Sequence, residues 1–176
     1  MKFKIDLKIF LITFLFFMTS QIKIYITMMI CAILHELGHL IMGIILGMKP
    51  EKLEIMPFGV SIAFKIEPKD YNKKIKKGNL LEIKKILVAI AGPLTNFIII
   101  LITNSLKIDI FKGLMIIYTN FLIMIFNLLP IYPLDGGRVL KGILHINFGI
   151  RKSELYTNII SKVMVAIITA ISSIMI

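Results

Sequence analysis

Apolar runs long enough, or nearly long enough, to cross a bilayer recur along this 176-residue chain, and they leave it little structural choice. Hydrocarbon offers no water to satisfy backbone N–H and C=O groups, so each run must pair them internally, as a helix does. Hydrophobic residues make up 57% of the chain and the mean hydropathy is +0.89, which sets it apart from a secreted or cytosolic globule. The runs predict spans at about Ile9–Thr19, Ile24–Leu46, Ile86–Thr103, Leu114–Leu129 and Leu155–Ile176. The fold class expected is therefore an all-α polytopic membrane protein of about five transmembrane helices in a single domain, residues 1–176.

The first run is short and follows Lys2, Lys4 and Lys8, as in a signal peptide, but no Ala-x-Ala-like cleavage site follows it, so a retained span is expected. Ahead of it, Phe3, Ile5 and Leu7 alternate with Lys4, Asp6 and Lys8, the pattern of a short interfacial strand. Gly47 and Pro50 end the second run. From Leu53 to Phe64, two short apolar runs punctuated by Pro57 and Gly59 predict a small interfacial β-hairpin, whose exposed edge could hold an extended peptide by backbone pairing. The lysine-rich stretch Lys65–Lys85 reads as a solvated connector. The chain stops at Ile176 inside apolar sequence, which reads as the truncation of a longer protein.

The formal charge of +11 would suggest nucleic acid in a soluble protein. Here the basic residues lie between apolar runs: three before the first span, ten from Lys49 to Lys85 and four from Arg138 to Lys152, against three in Lys23, Lys107 and Lys112. By the positive-inside rule the richer loops and the N-terminus are cytosolic, and no nucleic acid is implied. Spans two and four then run in the same direction, so their C-terminal ends can meet near the cytosolic leaflet. The single cysteine, Cys31, excludes an internal disulfide.

Against this background His35-Glu36-Leu37-Gly38-His39, inside the second run, carries a large desolvation cost unless it has a function. Residues four apart fall on one helix face, so His35 and His39 can grip one zinc ion, with Glu36 beside it to take a proton from water. A catalytic zinc needs a third protein ligand, and Asp135 is the candidate. It follows Asn127, Pro130 and Pro133 and precedes Gly136 and Gly137, a break in regular backbone of the kind tolerated at membrane depth only where protein or a watery cavity lines it. Asn96, in Gly92-Pro93-Leu94-Thr95-Asn96, and Asn127 are polar groups in apolar surroundings, suited either to interhelical bonding or to holding substrate backbone. Cys31, one turn before His35, reads as a core residue, since the two histidines and Asp135 already complete a site. His145 reads as an ordinary residue of a basic loop.

With these motifs in their order, the chain resembles the site-2 proteases, the family of intramembrane zinc metalloproteases. The resemblance rests on the His-Glu-x-x-His helix, the Gly-Pro-x-x-Asn patch and the Asn-x-x-Pro-x-x-x-x-Asp-Gly segment. It is closest to the sporulation branch, the stage IV proteases that process a sigma-factor precursor, through Ala91-Gly92-Pro93-Leu94, Asn127–Gly137 and the lack of a PDZ insertion between spans three and four. The resemblance implies zinc held by His35, His39 and Asp135, Glu36 as general base, and Asn96 and Asn127 lining a substrate cleft. It further implies regulated intramembrane proteolysis of a membrane-associated protein substrate in a bacterial inner or forespore-surrounding membrane, with membrane-embedded regulatory partners and the active site towards the cytosol. A final span and a cytosolic CBS domain are usual in that branch, and the single domain read here is expected to lack both. A zinc transporter and a metal-binding pseudoprotease that retains membrane partners are the rival readings.

Overall fold

The computed structural model describes residues 2–57, 59–65, 75–106 and 110–175. Its elements run β1 (Lys2–Ile5), α1 (Lys8–Met18), α2 (Ile22–Ile45), β2 (Lys49–Met56), β3 (Gly59–Lys65), α3 (Ile75–Ser105), α4 (Ile110–Leu128), α5 (Asp135–Phe148) and α6 (Ile150–Met175). They form two compact units, one of Met1–Ile66 with Ala91–Met124 and one of Glu67–Ile90 with Ile125–Ile176. Among the described residues, Ile22–Ile45, Asn79–Ser105 and Ile150–Ile174 are long and apolar enough to cross a membrane, and Lys8–Met18 and Gly113–Leu128 are shorter apolar helices. Large apolar side chains point outward along their lengths, among them Phe10, Phe14, Ile41, Ile44, Phe126 and Ile171. Hydrocarbon is the surrounding that removes the cost of such faces, and the chain is a multi-pass membrane protein.

In the first unit the expected hairpin is present but is part of a larger element. β2 and β3 pair antiparallel, with an irregularity between Pro50 and Lys52, and β1 adds to the far edge of β2 in parallel register, Lys2 opposite Lys52 and Ile5 opposite Ile55. The sheet runs back along α2: Gly59 sits at Ala32, and the Phe64 ring covers Gly43. Those eleven helical residues rise about 16 Å and the five strand residues about 17 Å, so β3 and α2 run side by side in step. The Tyr25 hydroxyl, which donates to the Pro57 carbonyl at 3.0 Å, ties down the hairpin turn.

This arrangement explains the short first helix. Eleven residues of α1 rise only about 16 Å against a hydrocarbon core of ~30 Å. β1 ends opposite Ile55, which pairs with Val60 beside Gly59, so the chain has already been carried down to the level of Ala32 when α1 begins. From Ala32 back to Ile22 α2 rises about 15 Å, and α1 needs to cover only that distance to meet it. The stacked rings of Phe16 and Tyr25, 4.9 Å apart, hold the two helices where they join. Because β1 and β2 share a sheet, the chain returns after α2 to the neighbourhood of its first strand.

In the second unit two expectations are corrected. Residues 75–85, read as part of a solvated connector, are the first turns of α3, and residues 66–74 of that stretch lie outside the described residues. Residues 138–148, read as a basic loop, belong to α5. Counting charges cannot distinguish a loop from an amphipathic helix whose basic residues find partners. Lys141 lies 5.1 Å from the centre of the Tyr132 ring and donates to Glu154 of α6 at 3.2 Å. Gly149, at φ +78°, then turns the chain directly into α6, a conformation open to glycine. His145 accordingly is no loop residue: its Nδ1 lies 3.3 Å from the buried Glu82, which Lys85 also pairs at 2.7 Å.

Candidate metal centre

His35 and His39 stand one turn apart on the face of α2 that also buries Cys31, Ala32, Gly38 and Gly43. Both are 3% exposed, which withdraws their ring nitrogens from bulk solvent. The rings meet edge to face, centroids 4.7 Å apart, and the two Nε2 atoms lie 3.1 Å from each other. Two nitrogens bound at about 2.0–2.1 Å to one tetrahedral ion stand roughly 3.3 Å apart, so the pair is set at the spacing a shared ion needs.

Small residues on both helices allow this. A side chain at Gly38 would run into Thr95 and the Ala91 carbonyl of α3, while one at Gly92 would run into the His39 ring and come within 2.6 Å of His35 Nε2. Glycine at 92 thus leaves the volume that the two rings fill, beside Pro93 within the helix.

Behind the rings lies a chain of buried amides. His35 Nδ1 bonds Asn96 Oδ1, Asn96 Nδ2 donates to Asn120 Oδ1 at 2.9 Å, and Asn120 Nδ2 donates both to the Ile116 carbonyl at 2.9 Å and to Cys31 Sγ at 3.2 Å. Asn96 and Asn120 are 0% exposed. Both ends of the Asn96 amide are therefore engaged inside the protein. Asn120 was not singled out from the sequence: one asparagine in an apolar helix has no pattern, although its place on α4 among residues of spanning hydrophobicity was a usable signal. Cys31 is a buried core residue, as expected.

Asp135 opens α5 and is buried, at 4% exposure. The helix N-terminus favours its negative charge, and Arg138 one turn on reaches it at 3.7 Å while remaining half exposed. The preceding segment folds back against the start of α5: a side chain at Gly136 would meet the Leu128 and Leu129 carbonyls, and one at Gly137 the Ile131–Tyr132 peptide. The Tyr132–Pro133 bond is cis, and the Tyr132 N–H donates to Ser161 Oγ of α6 at 2.9 Å. The two glycines are thus required by backbone contact, which the Asp-Gly-Gly spelling alone did not reveal.

His35 and His39 in the first unit and Asp135 in the second are buried groups that could each offer a metal ion one ligand atom. Two imidazoles and a carboxylate are the donor types of a three-ligand divalent site. Glu36, next to His35 on α2, and Asn127, near the end of α4, are each half-buried.

Comparison with known proteins agrees with this geometry. The sequence pattern of Peptidase family M50 matches residues 23–112 and 103–171. A zinc metalloprotease of Methanocaldococcus jannaschii is 36% identical over 138 residues, 74% of this chain and 37% of that protein. Stage IV sporulation protein FB of Bacillus subtilis is 26% identical over 127 residues, 70% of this chain and 41% of its own length. The chain thus spans about two fifths of the length of these curated relatives. Among solved structures, a site-2 protease from Methanocaldococcus jannaschii shares the fold, with a TM-score of 0.63 over 94% of this chain and 77% of the other at 24% identity.

Proposed function

This chain belongs to peptidase family M50, and from that premise we propose that it is an intramembrane zinc metalloendopeptidase acting as one catalytic domain. The observation that carries the reading is the pair of buried imidazoles at ion-sharing distance. Zinc is the metal, held by His35, His39 and Asp135. When bound there it supplies Lewis acidity to a water molecule and to the scissile carbonyl.

Glu36 acts as general base. It takes the proton of the attacking water as the new C–O bond forms, carries it, and delivers it to the amine as the C–N bond breaks. The surrounding apolar side chains keep bulk water from competing for that proton. A peptide bond in a helix is shielded by its own turn, so the substrate must be extended before cleavage. β1 occupies one edge of β2, which among the described residues leaves β3 as the outer strand on the other side, running in step with α2. We assign that edge to substrate pairing and Asn127 to a contact with substrate backbone. A membrane-associated protein, in particular a sigma-factor precursor of sporulation, is the substrate supported by the likeness to stage IV sporulation protein FB. The lysine distribution supports an active site towards the cytosolic leaflet of a bacterial inner or forespore-surrounding membrane.

The test is the Glu36→Gln chain with a membrane-tethered substrate. Cleavage should fall by about 10²–10⁴-fold with zinc content unchanged, whereas His35→Ala, His39→Ala and Asp135→Asn should lose zinc itself on metal analysis. Full cleavage by Glu36→Gln, or zinc uptake into proteoliposomes in place of cleavage, would overturn the reading.

A further inference from the structure

We infer that the main-chain carbonyl of Ile116 sets the tautomer of His35 through Asn120 and Asn96, which are positioning residues for the metal ligand. The inference rests on His35 being a ligand, as proposed above. The argument is one of hydrogen-bond polarity. A backbone carbonyl can only accept, so the side chain of Asn120 must turn its NH2 group towards Ile116 at 2.9 Å. The second hydrogen of that NH2 finds Cys31 Sγ at 3.2 Å. The Asn120 oxygen is then the atom left to face Asn96, and it can only accept, so Asn96 must present its own NH2 there, at 2.9 Å. That leaves the Asn96 oxygen facing His35 Nδ1. Nδ1 must therefore carry the hydrogen, and Nε2 must carry the lone pair.

Each link has one permitted direction, and a buried amide turned the wrong way would set oxygen against oxygen away from bulk solvent. His35 Nε2, the nitrogen facing His39 at 3.1 Å, is thus prepared as a donor to metal before any ion arrives. The role of Asn96 is then to orient a ligand, in place of the substrate contact that the family resemblance implied. Cys31 takes part as the acceptor of the last hydrogen in the chain, and not as a competing ligand.

The test uses 15N-histidine-labelled, metal-free protein in detergent or nanodiscs at mildly alkaline pH. The chain has three histidines, so substituting His39 and His145 in turn assigns the His35 signals. The wild type should show a protonated, pyrrole-type Nδ1 and an unprotonated, pyridine-type Nε2 at His35; the reverse would overturn the inference. Asn120→Leu, similar in volume but without polarity, should give mixed tautomers at His35 and weaken zinc binding roughly tenfold in chelator competition. A purely packing role leaves both the His35 tautomer and the zinc affinity of Asn120→Leu unchanged, and that result would sink the inference. If the variant fails to fold, the wild-type spectrum alone decides. The expected tautomer in a chain that cleaves nothing would support this relay while removing the protease reading, and the reversed tautomer in an active protease would do the converse.

Discussion

α2 and the segment that leads into α5 each carry buried candidate ligand groups, and they place them by opposite means. In α2 the spacing of His35 and His39 is a property of any α-helix, so the surroundings need only leave room, at Gly92, and orient a ring, through Asn96. Asp135 is placed by no periodicity. It depends on residues 128–134 doubling back so closely on the start of α5 that two consecutive positions have no space for a Cβ. A ligand pair on a regular helix should therefore tolerate changes around it that leave the helix intact, whereas a ligand on folded-back backbone should be lost with the contacts that hold the fold.

The strongest way to break this contrast is Gly137→Ala. Its added carbon meets the Ile131–Tyr132 peptide, backbone that cannot swing aside, so stability should drop by about 1–3 kcal/mol in thermal unfolding and zinc content should fall together with it. An unchanged melting curve would show that the segment yields and that the distinction is false. A smaller effect, of a different kind, is expected from Gly92→Ala. There the added carbon meets the ends of two imidazole side chains, so zinc affinity should fall in chelator titration while the unfolding transition shifts by less than in Gly137→Ala. Equal losses of stability in the two variants would erase the comparison. Smallest of all is Ile41→Leu, on the outward face of α2 at 56% exposure, where apolar hydrocarbon replaces apolar hydrocarbon. Stability and zinc binding should both stay within about 0.5 kcal/mol of the parent, and a larger change would reveal a protein contact on that face.

The second unit contains a further polar cluster that a linear reading passed over. Glu82 is buried and paired by Lys85 and His145, yet in the sequence these residues belong to what reads as two separate basic connectors. The Glu82–Lys85 spacing fits one helical turn and was available as a signal. His145, 63 positions further on, had no signal of any kind. The same limit applies to β1: its alternation marked a strand, but parallel pairing with β2 across α1 and α2 could not be read from four residues.

The sequence by itself determined what depends on local spacing and on the solvent. Apolar runs in hydrocarbon must be helices, and His-x-x-x-His on such a helix must place both rings on one face. Tertiary structure alone decided what depends on the polarity and approach of distant groups: that Asn96 meets Asn120, that Gly92 leaves the volume the rings fill, that β1 lowers the start of α1, and that α5 is a helix with partnered charges. The reason is physical. Helix periodicity is set by covalent geometry and hydrogen bonds within a few residues, whereas the partner of a buried amide is chosen by which other element is packed against it, and many sequences with the same apolar pattern would choose differently.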